Sequence, residues 1–108
     1  MKPKFSKWAS WSERNKLDGI KYPGVYALAV SEIDLSNKKY SVRKEIEYFG
    51  MTNSIGGLKS RLKQFDNTII GKSGHGGAAR FLYGYKKYTY DIFSKKIFVS
   101  ICPIECDV

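Results

Sequence analysis

Two tyrosines, an arginine and a set of glycines stand where they could converge on one ligand. Tyr26 closes Pro23-Gly24-Val25-Tyr26, and Tyr48 opens Tyr48-Phe49-Gly50-Met51-Thr52. Arg61 sits inside the basic run Leu58-Lys59-Ser60-Arg61-Leu62-Lys63-Gln64-Phe65. A phenol can position or relay a proton, and a guanidinium neutralises charge on phosphoryl oxygens. A glycine lets the backbone approach a ligand closely. Together these groups suit work on a phosphodiester. Singly, each has a plainer use: a tyrosine in an apolar run packs in a core, and an arginine on a helix is a surface cation.

Other motifs carry less. Gly71-Lys72-Ser73-Gly74 has a phosphate-loop flavour but lacks the leading glycine of G-x-x-x-x-G-K-[ST], which excludes nucleotide hydrolysis. Cys102, Cys106 and His75 fall short of the four ligands of a structural zinc site. Two cysteines do not make a disulfide framework either, so reduced thiols are expected. His75 fits a plain loop residue, a DNA contact or a proton shuttle.

The elements that must position these residues follow from spacing. Trp8, Trp11, Asn15 and Leu17 fall at roughly helical intervals and predict an amphipathic helix within residues 5–20. Val25 to Val30 is apolar on both faces, as in a buried strand. After a polar turn containing Asp34, Ser36 and Asn37, the residues Val42, Ile46 and Tyr48 alternate with charged ones, giving a second, half-exposed strand. The two strands would pair as an antiparallel hairpin. Leu58, Leu62 and Phe65 at i, i+4 and i+7 predict a helix over 57–66, with Lys59 and Lys63 facing water or phosphate and Arg61 beside the buried stripe. A glycine-rich loop leads to a second helix through Ala78, Phe81, Leu82 and Tyr85, and Lys96 to Cys102 reads as a third strand. The expected fold is α+β: a small three-stranded, largely antiparallel sheet flanked by helices in the order α-β-β-α-α-β. Residues 1–22 would form a basic amphipathic segment packed on a domain spanning 23–108.

Charge points to a partner. The 108 residues carry a net charge of +9, with a pI near 9.6. The excess lies in residues 1–22 and 56–90; Asp66 is the one acid of the second stretch. Such a balance suits a polyanion, and tyrosines interleaved with Lys86 and Lys87 add stacking surfaces for a nucleic acid. Lys59, Lys63, Lys72, Arg80, Lys86 and Lys87 are the candidate backbone contacts. A solvated face kept soluble by charge is the bland alternative. No apolar run reaches the roughly 20 residues that span a bilayer. No continuous apolar stretch follows the basic start, so neither membrane nor signal peptide is expected, and the expected compartment is cytoplasmic.

Gly24-Val25-Tyr26 and Tyr48-Phe49-Gly50 in this frame, with Thr52 and Arg61 behind them, resemble the GIY-YIG nuclease domain over about residues 23–102. The resemblance implies metal-dependent DNA cleavage, with DNA favoured over RNA as partner. Tyr26 would take a proton from the attacking water, Tyr48 would orient water or phosphate, and Arg61 would stabilise the phosphoryl charge. His75 matches a frequent family histidine loosely, and Phe65 stands where another often lies. The resemblance also implies Mg²⁺ or Mn²⁺ held by a glutamate on a helix after the third strand. Here Glu105 is the late candidate, and no such helix follows in residues 1–108. A sheet face left open by that helix would be covered by the Trp8/Trp11 segment or by a second copy. Two functions stay open: a DNA endonuclease of repair, restriction or mobile-element type, and a catalytically inactive nucleic-acid-binding module on the same scaffold. A basic protein-interaction domain is a third if nucleic acid does not bind.

Overall fold

The sheet is built outward from its two most apolar strands. A computed structural model describes residues 4–41, 43–70 and 93–104. Gly24–Val30 (β2) and Ile97–Pro103 (β4) pair antiparallel along their full length, with Tyr26 opposite Ile101 and Leu28 opposite Val99. Ile46–Thr52 (β3) joins the other side of β2, setting Tyr26 against Gly50 and Leu28 against Tyr48. The short Ala9–Ser10 (β1) pairs with β4. The order is β1-β4-β2-β3, all antiparallel. With a 3-10 helix at Trp11–Lys16 and an α-helix at Gly57–Ile70 (α1), the chain is a small α+β fold. The sheet has four strands where three were expected.

The expected N-terminal helix shrinks to the 3-10 helix at Trp11–Lys16, and the residues just before it form the fourth strand. A helix over 5–20 would set Trp8 and Trp11, three residues apart, on one face. Instead the segment crosses the edge of the sheet. Trp8 packs with Ala27, Ala29, Leu35 and Phe98 on one face, whereas Trp11 packs with Tyr26, Leu28 and Phe65 on the other. Both tryptophans are 1% exposed, so each closes a core that one helix could not have reached. Covering large apolar area on both faces outweighs local helical preference here.

The hairpin of β2 and β3 is present, but β3 starts at Ile46 rather than near Val42. Lys44 and Glu45 form a turn closed by the Ile46 N–H donating to the Arg43 carbonyl at 3.2 Å, and the Arg43 guanidinium bonds Glu45 at 3.0 Å. A bulge between Leu28 and Ala29 takes up the offset.

Helix α1 buries Leu58, Leu62 and Phe65 completely, the stripe that the spacing predicts. It continues past residue 66 to Ile70, with Asp66 and Thr68 also buried. Its start is fixed from outside the helix. The Leu58 and Lys59 N–H groups donate to the carbonyls of Tyr22 and Ile20 at 2.9 and 2.7 Å. Gly57 makes this possible, since at φ 68° any side chain there would run into the Lys21 carbonyl. The expected helix through Ala78 and Tyr85 lies outside the described residues. Among the described residues, no helix is long and apolar enough to cross a membrane.

Candidate functional site

Strand register decides which side chains meet. Tyr26 and Tyr48 sit on diagonally related positions of the hairpin, on the face covered by α1. Their ring centroids are 6.1 Å apart with planes at 33°, and Tyr48 lies 5.5 Å from Phe65 of α1. Arg61, half-buried on α1, acts electrostatically on the Tyr26 phenol. Residues from β2, β3 and α1, separated by 22 and 13 positions in the chain, thus form one cluster.

Gly50 has a steric task in that cluster. It pairs with Tyr26 across the hairpin, and a Cβ at position 50 would collide with Cζ and Oη of the phenol and stand 2.9 Å from Cε1. The Tyr26 ring therefore lies where only glycine leaves room. Gly50→Ala is expected to cost about 1–3 kcal/mol through overpacking. In a Tyr26→Leu background that penalty should shrink by more than half, which denaturant titration of the four-variant cycle measures. Equal penalties in both backgrounds would refute the steric account.

The phenol itself is unusual. Tyr26 is 0% exposed, and its Oη is buried without a hydrogen-bond partner. Burial pushes its pKa up, Tyr48 pushes it further, and Arg61 opposes both only in part. Tyr48 acts on the hydroxyl by charge and by a side-chain interaction longer than an ordinary hydrogen bond. A proton acceptor near neutral pH needs the opposite shift. Burial thus favours the protonated, donating form of the Tyr26 hydroxyl.

A divalent metal does not fit the described part of this cluster. The groups around Tyr26 are a phenol and a guanidinium, and Mg²⁺ usually takes one or two carboxylates. Among the described residues, no three of His, Cys, Asp and Glu lie together. Glu105 and His75 lie outside the described residues, as do Lys72, Arg80, Lys86 and Lys87. Thr52, next to the second tyrosine motif, serves the backbone: its Oγ1 accepts the Ser54 N–H at 3.2 Å and lies 3.0 Å from the Ser54 hydroxyl, fixing the turn after β3.

The described cations divide between two flanks of α1. At 3.6 residues per turn, Arg61 lies about 160° round the helix from both Lys59 and Lys63. Arg61 faces the tyrosines. Lys59 and Lys63 are exposed and, with Ser60, Gly56, Arg14 and Asn15, line a groove of about 450 Å³ between α1 and the 3-10 helix. Arg14 is held firmly. Its Nη1 donates to the Trp11 carbonyl at 3.0 Å, its Nη2 lies 3.5 Å from Asp66, and its guanidinium stands 4.6 Å over the Trp11 ring. Asp66 also accepts the Trp11 indole N–H at 2.7 Å.

No family model, curated protein or solved structure matches this chain. Of the residues singled out in the sequence, Tyr26, Tyr48 and Arg61 come together, while Lys59 and Lys63 turn to the other side of their helix. Arg14 and Asn15 gave no local signal. The nearest clue was Asp66, a lone acid in a basic stretch, whose partner Trp11 is 55 positions away.

Proposed function

We propose that this chain is a GIY-YIG-type nuclease domain acting on DNA phosphodiesters. The observation that carries the reading is the convergence of Tyr26, Tyr48 and Arg61 from three elements, with Gly50 vacated for the first phenol. Arg61 would pair with the phosphoryl oxygens of the scissile group, and a fixed cation there stabilises the charge that builds up in the transition state. Tyr26, kept protonated by burial, would donate to an oxygen of that group once the substrate reaches it. Tyr48, less buried and beside it, would orient the same phosphate. A divalent ion, which the resemblance implies, would supply Lewis-acid charge at the phosphate. The described residues offer it no donor set.

A second reading has its own support. The complete burial of Tyr26, which closes its phenol off from solvent, favours a module that binds nucleic acid without cutting it.

Nicking of supercoiled plasmid in millimolar Mg²⁺ or Mn²⁺, run beside a binding titration, separates the readings. For a nuclease, Arg61→Ala should lower cleavage by about 10²-fold or more, the scale of a lost electrostatic catalyst. Duplex binding should fall with salt at a log–log slope of roughly −4 to −5, as for four to six neutralised phosphates. Salt-dependent binding without any cleavage would select the second reading. A slope near zero would remove nucleic acid from both.

A further inference from the structure

We infer that the groove between the 3-10 helix and α1 is a second backbone-binding surface, taking the phosphates of the uncut strand of a B-form duplex. It rests on the reading above for the Arg61 flank and adds a partner for the other.

The geometry is that of a helix with cations on both sides. Arg61 lies on one flank of α1, while Lys59, Lys63 and Arg14 line the other. Between them runs the outward ridge of α1, where Gln64 is exposed and Ser60 half-exposed. A helix with its side chains is about 10–12 Å across, and the B-DNA major groove is about 12 Å wide with a backbone on each side. A ridge of neutral, short polar groups flanked by cations suits that groove. Neither flank alone demands a duplex; the pair does.

The groove is also made for a polyanion rather than a single small ion. No acid lines it. The α1 amides that could cap an anion are already used, by the carbonyls of Tyr22 and Ile20. What remains is the charge of Lys59 and Lys63 along a channel, Arg14 being matched by Asp66, and such charge follows a backbone without reading sequence. Arg14 is fixed by Trp11 and Asp66, and the exposed Lys59 and Lys63 have no ion-pair partner among the described residues. The major groove of A-form RNA is too deep and narrow to admit the ridge.

The test is fluorescence anisotropy with the whole chain and oligonucleotides of one sequence, as duplex DNA, duplex RNA and single-stranded DNA. Wild type should bind duplex DNA at least about 10-fold tighter than either alternative. Lys59→Gln/Lys63→Gln should weaken duplex DNA binding by about 10-fold or more and flatten its salt slope by up to about 2, leaving single-strand affinity within about 2-fold. Gln64→Glu, an acid on the ridge, should weaken duplex binding selectively. All three positions are exposed, and unchanged circular dichroism shows that the fold survives. Equal loss on duplex and single strand, or duplex RNA bound as well as duplex DNA, would overturn the inference and leave the nuclease reading standing. Failure of wild type to bind any of the three would overturn both.

Discussion

Asp66→Ala is expected to destabilise the protein by about 3–5 kcal/mol, the range for breaking a buried ion pair on one side only. The side chain is 7% exposed, accepts the Trp11 indole N–H at 2.7 Å and faces the Arg14 guanidinium at 3.5 Å. Its loss leaves an indole donor and a largely buried cation short of a partner at once, in a polar contact that ties the 3-10 helix to α1 beside the packing of Trp11 on Phe65. Arg14, with 12% of its side chain exposed, can recover some hydration, which places the effect toward the lower end. For a domain of this size the melting temperature should fall by roughly 10–20 °C. Asp66→Asn keeps an acceptor for Trp11 and should cost about half as much. If thermal melts show Asp66→Ala within about 1 kcal/mol of wild type, Asp66 is not the clamp inferred from these contacts.

Tyr26→Phe is expected to move stability and activity in opposite directions. The hydroxyl is buried with no partner at ordinary hydrogen-bond length, so deleting it removes a poorly compensated desolvation cost and should stabilise the fold by about 1 kcal/mol. If the domain cleaves DNA, the same change should lower the rate by about 10²-fold or more, with binding unaffected. Alkaline titration supplies an independent check. The folded phenol has its pKa raised above the ordinary value of 10.0, mainly by burial. Above that ordinary value the unfolded chain releases this proton while the folded chain keeps it, so the unfolded state gains. The contribution is complete below about pH 10 and is lost as pH rises toward the higher folded value. Wild type should therefore lose stability faster than Tyr26→Phe above about pH 10. Should Tyr26→Phe be less stable than wild type and equally active, the hydroxyl would have a structural partner and no part in chemistry.

Much of the scaffold is legible without coordinates, because local rules act where one face of an element is buried. The stripe Leu58, Leu62 and Phe65 marks α1 and its inward face, and all three are fully buried. The apolar run after Gly24 marks a central strand, and the alternation through Tyr48 marks a half-exposed one beside it. That pairing alone puts Tyr26 and Tyr48 on one face. The positive charge of the segment around α1 is likewise a property of the sequence.

Three things were decided only by the fold. Helical spacing of Trp8 and Trp11 lost to the area gained by burying one tryptophan on each face of the sheet, which no local propensity anticipates. The pKa of the Tyr26 phenol is raised because the desolvation beneath α1 outweighs the pull of Arg61, a balance set by packing. And Lys59 and Lys63, whose outward placement helical spacing already gives, came to meet Arg14 of the 3-10 helix across a groove. Sequence fixes charges and periodicities because these are local. Which charge faces which depends on contacts such as Trp11 with Asp66, formed only when distant segments close on one core.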